Sequence, residues 1–198
     1  MRERRTLERF QEVLPLKEQA QVRIAMRKGI AWLRKEQRTD GSWPGFWGIH
    51  YTYGTLFGIT GLLASGPNRS DEAIERACRW LVEARLADGG WGESWHGLLA
   101  GRSVPHDSNQ VMTSWALMAL LRAAYQGEQA QEAITSGIRL LRERQLPNGD
   151  WPEEGVAGVF FNTAMLHYRL YKNYFPIWAL GLYESTVRAH QGADQASR

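Results

Sequence analysis

One pattern occurs three times along this chain of 198 residues, at 28–43, 76–91 and 136–151. In each copy a small residue precedes an apolar pair, a polar residue follows the pair four positions later, and the copy ends in Gly-x-Trp after a turn. Three matches in one register indicate internal repetition. Such repetition is typical of folds in which each unit buries its apolar face only against its neighbours.

Each copy predicts an amphipathic outer helix, because its apolar residues fall at helical spacing with charged residues on the opposite face. The helix should end at the turn signals TDG, ADG and PNG, where glycine can adopt a positive φ. Between the copies lie stretches that are apolar on nearly all sides and predict inner helices, at 51–65, 110–124 and 175–184. Hardly any run shows the alternation of a strand.

The chain is therefore predicted to be all-α and to form a single domain over residues 1–198, with a polar tail at 184–198. Alternating outer and inner helices favour a partial α/α toroid, like part of an α6/α6 barrel. Three to four helix pairs form an arc, not a closed ring. An arc exposes apolar surface at its open edge, which predicts a partner segment, self-association or poor solubility.

Composition excludes several classes of protein. The single Cys78 rules out a disulfide framework or a cysteine zinc cluster and points to a reducing compartment. No spacing of side chains predicts a metal or a cofactor, and no signal peptide or membrane span is evident, so a cytoplasmic location is expected. Lys and Arg are interleaved with Glu, so no nucleic-acid partner is expected. The nine tryptophans require a structural or chemical reason.

The repeat resembles the QW motif of the oxidosqualene and squalene-hopene cyclases, the triterpene cyclase family. In that motif a Gln near a helix end packs and hydrogen-bonds against the Trp that follows. The matching pairs are Gln37 with Trp43, Gln145 with Trp151 and, with Arg in place of Gln, Arg85 with Trp91. Arginine can still stack on an indole, so the resemblance predicts that role in the middle copy.

Three further segments resemble the same family: DGSWPGFWGIHYTYGTLFG at 40–58, NQVMTSWALMALL at 109–121 and GVFFNTAMLHYRLYKNYFPIWALGLY at 158–183. The last is most similar to sterol-type cyclases, and the likeness covers about residues 7–183. It implies a polyprenyl substrate, oxidosqualene or squalene, that cyclises through cations, and peripheral membrane contact of an intact cyclase.

In this family a buried aspartic acid in a DCTAE or DxDD motif starts the reaction, and neither motif occurs in this sequence. The resemblance therefore predicts a C-terminal, cavity-forming part that contains no catalytic acid. Such a part should be inactive alone and should need an N-terminal cyclase half as its partner.

The same resemblance places Trp115, Phe160, Tyr168 and Tyr171 on the cavity wall. There an aromatic face stabilises a desolvated cation by about 2 kcal/mol per ring. His50 lies where sterol-type cyclases often have a cysteine that hydrogen-bonds the acid, so it could orient that acid. The residues alone leave open that the four aromatics are core and that His50 is a buried, satisfied histidine.

The carboxylates of this chain are poor substitutes for that acid. The turn before each Trp carries one, which should satisfy turn donors: Asp40, Asp88 and Asp150. Glu153 and Glu154 read as solvated surface. Asp107, beside His106, could exchange a proton, but it also fits the cap of the helix that follows, and the cap is favoured.

Two other functions fit the residues. The chain could be a non-catalytic helical-repeat module that binds an isoprenoid lipid or a partner protein. An α/α-toroid enzyme acting on carbohydrates would instead need two facing carboxylates about 5 to 9 Å apart, and the acids here look misplaced for that chemistry.

Overall fold

The computed structural model describes residues 13–64, 66, 71–161 and 163–196. Three outer helices are α1 (Leu16–Glu36), α3 (Glu72–Glu83) and α6 (Glu128–Glu143), and three inner helices are α2 (Tyr51–Ala64), α5 (Gln110–Ala123) and α7 (Tyr171–Ala196). A short helix, α4 (His96–Ala100), and an antiparallel hairpin of β1 (Gly158–Phe160) and β2 (Ala164–Leu166) lie in the connecting loops. The prediction of an all-α, partial toroid is confirmed.

Two boundaries differ from the prediction. The third inner helix begins at Tyr171 and continues to Ala196, so most of the predicted polar tail extends this helix. The hairpin at 158–166 was not predicted, because strands of three residues are too short to show an alternating pattern. Residues 7–12, where the family resemblance starts, lie outside the described part of the chain.

The core is centred on α5, which packs against α2, α3, α6 and α7. All of its residues except Arg122 are buried, as expected for an inner helix. The helix is capped by Asn109, whose side chain accepts hydrogen bonds from the amides of Val111 (2.9 Å) and Met112 (3.3 Å). The prediction that Asp107 is this cap was therefore wrong; Asp107 is exposed two residues earlier.

Each repeat closes its own outer helix with a tryptophan. The indole Nε1 donates to a carbonyl in the last turn of the preceding helix, where no later helical amide is available. These bonds are Trp43 to Leu33 (2.8 Å), Trp91 to Leu81 (2.7 Å) and Trp151 to Leu141 (2.9 Å). The glycines of the three turns have the predicted positive φ: Gly41 (97°), Gly89 (94°) and Gly149 (84°).

The polar residue of each repeat bonds differently from the prediction. Gln37 and Gln145 donate to the carbonyl of the turn glycine, at 2.9 and 3.0 Å, and not to the tryptophan. Arg85 donates to Ser136 (2.9 Å) and Glu132 (2.8 Å) of α6. The described residues show no stack of the Arg85 guanidinium on the indole.

No helix in the described ranges is both long and apolar enough to cross a membrane.

Candidate functional site

The candidate site lies where the loops from outer to inner helices meet. His50 directly precedes α2, and Tyr168 lies three residues before the start of α7. The segment 46–49 pairs with the hairpin: the amide of Ile49 donates to Ala157 (2.8 Å), and that of Val159 donates to Trp47 (3.0 Å). Backbone pairing therefore brings the first and the last loops of the chain to one place.

Three aromatic rings form the hairpin cluster, defined as Trp47, Phe160 and Phe161. The ring centroid of Trp47 lies 5.4 Å from that of Phe160 and 4.7 Å from that of Phe161. All three side chains are about half exposed. Phe160 was predicted for the site, whereas Trp47 and Phe161 were not. Trp47 could have been found from its place beside His50, but only the pairing of the two segments reveals its contact with Phe160.

A second group, the tyrosine cluster, is defined as Tyr168, Tyr171, Tyr174 and Phe175. Tyr168 and Tyr171 lie 5.0 Å apart between ring centroids, and Tyr171 lies 5.6 Å from Tyr174. Burial, followed by neighbouring phenols, raises the pKa of Tyr174 to about 12. Burial also raises the pKa of Tyr171. These phenols stay neutral at physiological pH, so they offer ring faces without an anionic nucleophile.

Trp115 lies behind the tyrosine cluster and not on the exposed surface. Its ring is 0% exposed and contacts Tyr53, Tyr171 and Phe175 at centroid distances of 5.0, 6.2 and 5.4 Å. Gly48 allows this packing, because a Cβ there would lie 2.8 Å from the Trp115 ring. In this conformation Trp115 lies beneath the half-buried Tyr171 and the buried Phe175.

His50 is buried. Its side chain is 2% exposed, and neither ring nitrogen makes a hydrogen bond of good geometry among the described residues, although the Gly45 backbone lies close to the ring. Burial lowers the pKa of His50, and the weaker effects of the Gly45 backbone and the Glu93 carboxylate, which raise it, do not offset that change. His50 is therefore a neutral imidazole at physiological pH.

A buried carboxylate that the sequence did not reveal holds the start of α2. Glu93 accepts hydrogen bonds from the amides of Tyr51 (3.1 Å) and Thr52 (2.6 Å), from the Thr52 hydroxyl and from the Ser103 hydroxyl (3.2 Å). A carboxylate at a helix N-terminus satisfies free amides and opposes the positive end of the helix dipole. Glu93 thereby fixes the backbone that directly follows His50.

Glu154 does the same for α5, which corrects its interpretation as solvated surface. It accepts from the amide of Gln110 (2.6 Å) and pairs with Arg144 (2.8 Å). Burial raises the pKa of Glu154 more than these two partners lower it. Its neighbour Glu153 is exposed, as predicted, and pairs with surface cations such as Arg169.

A cleft of about 580 Å³ opens beside the hairpin, with His96, His106 and Asp107 at its rim and Glu93 and Glu154 in its lining. The two more buried carboxylates, Glu93 and Glu154, already bind helix amides, which leaves Asp107 as the one exposed carboxylate among the residues that line the cleft. The pair of free facing carboxylates that a carbohydrate-cleaving enzyme would need is therefore not found among the described residues of this cleft.

Comparison with known proteins identifies the family. The family described as squalene-hopene cyclase C-terminal domain matches residues 6–185. The chain belongs to this family. Human lanosterol synthase is 40% identical over 180 residues, 88% of the chain and 24% of its own length. Cycloartenol synthase of Dictyostelium discoideum is 44% identical over 164 residues, 82% and 23% of the two lengths. The cyclase chain thus spans about a quarter of these relatives.

Solved structures agree on the fold. The type II terpene cyclase MstE from Scytonema, without ligand, superimposes with a TM-score of 0.57 at 20% identity, over 81% of this chain and 49% of that chain. The chain therefore shares the all-α fold of this terpene cyclase over most of its length.

Proposed function

We propose that this chain forms the C-terminal wall of the reaction cavity in an oxidosqualene-type cyclase and needs an N-terminal portion to react. The observation that carries the proposal is the set of exposed rings in the hairpin and tyrosine clusters, near the loop that holds the buried His50. These rings are Trp47, Phe160, Phe161, Tyr168 and Tyr174. Exposed aromatic surface of this extent marks a binding site in a soluble protein.

The aromatic surface suits a substrate that passes positive charge along a polyene. A neutral ring attracts a cation to its face but does not trap it as a nucleophile would. Phe160, with its ring about half exposed, would stand nearest to the later cationic centres, and Tyr168 and Tyr171 would line the adjoining wall. Each desolvated ring would stabilise such a cation by about 2 kcal/mol. Trp115 would join them only if the cavity opens behind Tyr171.

The acid that starts the reaction would come from outside this sequence. Neither DCTAE nor DxDD occurs here, and the buried carboxylate nearest to the site, Glu93, is occupied by four donors. A neutral His50 could accept a proton on one ring nitrogen and donate from the other. We therefore place His50 against the carboxyl group of the acid, as a residue that orients it.

The test is to incubate the purified chain with oxidosqualene and with squalene, with and without the N-terminal portion of human lanosterol synthase, and to analyse products by mass spectrometry. Cyclised product is expected only in the mixture. Phe160→Ala should slow it about thirtyfold, the loss of one cation–π contact of about 2 kcal/mol. Trp95→Ala, an exposed aromatic of the cleft outside both clusters, is the matched control.

His50 is tested in the same mixture. His50→Ala should lower the rate about tenfold or more, because a hydrogen bond to a charged group is worth about 1.5 to 3 kcal/mol. His50→Cys should retain more activity than His50→Ala, since a thiol can still donate. Product from the chain alone would mean that an acid within it starts the reaction, with Asp107 the first to replace.

A second candidate, a non-catalytic module that binds an isoprenoid lipid, rests on the same exposed rings and on the lack of a free acid beside them in the described part of the chain. It predicts saturable binding of oxidosqualene to the chain alone, weakened by Phe160→Ala, with no product in any mixture.

A further inference from the structure

The three outer helices carry the same pattern, so equivalent positions can be compared within one molecule. Trp80 of α3 and Leu140 of α6 are 8% and 4% exposed, whereas their counterpart in α1, Trp32, is 56% exposed. The small residues behave alike: Ala77 and Gly137 are buried, and Gly29 is exposed. None of the residues of α1 is buried. One face of α1 is therefore uncovered where the same face of α3 and α6 is covered.

The loop of the first repeat covers this face of α3. The turn at Gly41 approaches so closely that a Cβ there would lie 2.5 Å from the carbonyl oxygen of Arg76. Gln37 donates to the carbonyl of Ala73 at 2.7 Å, and the Arg76 guanidinium donates to the oxygen of Gln37. Backbone contact and a reciprocal pair of hydrogen bonds thus join the loop to the next outer helix.

The loop of the second repeat covers α6 in the same way. Gly89 approaches Ser136, where an added Cβ would lie 2.8 Å from the serine Cβ. The Trp91 ring covers Gly137, at 2.9 Å from the position of an added Cβ. Arg85 donates to Ser136 at 2.9 Å. The first and second Gly-x-Trp loops therefore each dock on the outer helix of the repeat that follows.

On α1 the same positions are present, and no loop of the described residues lies against them. Lys28 occupies the position in α1 that Arg76 occupies in α3, where Arg76 binds the glutamine of the first loop. Lysine can also donate to a glutamine oxygen. An added Cβ at Gly29 would meet no atom within 4 Å. Residues 1–12 contain neither Gly nor Trp, so they cannot supply such a loop.

We propose that α1 is a docking surface for the Gly-x-Trp loop of a preceding helical repeat, which belongs to the N-terminal portion of the cyclase. The nature of that partner rests on the proposed function. The junctions of the first loop with α3 and of the second loop with α6 show which segment fits this face. The chain spans only about a quarter of the length of its relatives, and those relatives therefore contain further sequence that could supply the loop. The incoming tryptophan would lie on Gly29, and its glutamine would bond the carbonyl of Ala25 and the ammonium of Lys28.

The test compares Gly29→Leu with Ala31→Leu in the chain of 198 residues. Each variant is co-expressed with the N-terminal portion of human lanosterol synthase. Leucine at Gly29 would occupy the place of the incoming indole. Ala31 is the matched control on the same helix, because its counterparts Arg79 and Arg139 are exposed in the other repeats. Binding of the two chains is measured by co-purification and by titration calorimetry. Thermal unfolding checks that both variants fold, as the open space at Gly29 leads us to expect.

The wild-type chain and Ala31→Leu should bind the N-terminal portion alike. Gly29→Leu should bind it at least about tenfold more weakly, because overpacking at this position would cost about 1.4 kcal/mol or more of binding free energy. Equal binding of all three chains, or no complex with the wild type, would overturn the proposal. Self-association that Gly29→Leu abolishes would show that a second copy, docking through its loop at 145–151, is the occupant instead. A Gly29-dependent complex without product would retain the docking surface and reject the cyclase function.

Discussion

Replacing Gly137 with alanine should destabilise the chain, whereas the same replacement at Gly29 should stabilise it. Both glycines occupy the same position of a repeated outer helix. At Gly29 the methyl group enters open space. Only the gain in helix propensity remains there, about 0.5 to 1 kcal/mol in favour of alanine.

At Gly137 the added Cβ would lie 2.9 Å from the Trp91 ring and 3.0 Å from a methyl group of Leu117. Both side chains are buried, so the core must shift. Overpacking of this kind costs about 1 to 3 kcal/mol, so after the gain in propensity is subtracted the net loss is up to about 2 kcal/mol.

Urea unfolding followed by far-ultraviolet circular dichroism measures both changes. In thermal unfolding the expected shifts are about 3 °C upward for Gly29→Ala and up to about 6 °C downward for Gly137→Ala. If both variants shifted stability in the same direction, the assignment of Gly137 as a docked position and Gly29 as an open one would be wrong.

Three further predictions concern single side chains. Burial lowers the pKa of His50 in the folded chain below its unfolded value of 6.5. The contribution of His50 to the unfolding free energy is therefore present above pH 6.5 and is lost as the pH falls through the folded pKa. His50→Gln should reduce this loss below about pH 6.5, whereas the exposed control His96→Gln should not. Glu93→Gln should destabilise by about 1.5 to 3 kcal/mol, since an amide cannot accept from all four donors. Urea unfolding checks this against a larger Glu93→Ala effect and a nearly unchanged Glu83→Gln control, which is exposed at the end of α3; a neutral Glu93→Gln result would contradict it. Trp43→Phe should cost about 1 to 3 kcal/mol by leaving the Leu33 carbonyl without its donor, whereas Trp32→Phe, whose indole is half exposed, should unfold at the wild-type urea concentration.

The sequence predicts what local spacing determines. Helical periodicity and the Gly-x-Trp turns locate the outer and inner helices, because both signals lie within one repeat. The sequence does not predict contacts between segments that are distant along the chain. Glu93 and Glu154 cap helices that precede them in the chain, and nothing in their own loops indicates the distant amides. Asn109 displaced Asp107 as the cap of α5 because both residue types serve equally well there.

For the site, motif resemblance predicts which aromatic residues belong to it, but not how deeply each side chain is buried. Tyr168 and Tyr171 do lie together. Trp115 belongs to a helix that the core surrounds, so its ring is hidden, and no periodicity separates a buried ring from a cavity ring. Trp47 joined the site only through backbone pairing with the hairpin.

The pairing of segment 46–49 with residues 157–161 also sets an order of events during synthesis. Trp47 and His50 leave the ribosome long before the hairpin exists, because translation proceeds at about 5 to 20 residues per second. Until residues 157–161 emerge, the aromatic rings of the first loop have no backbone partner and are open to association with other chains. The surface that would receive the substrate is thus completed last, and a nascent chain that stalls before the hairpin is the form most in need of a chaperone.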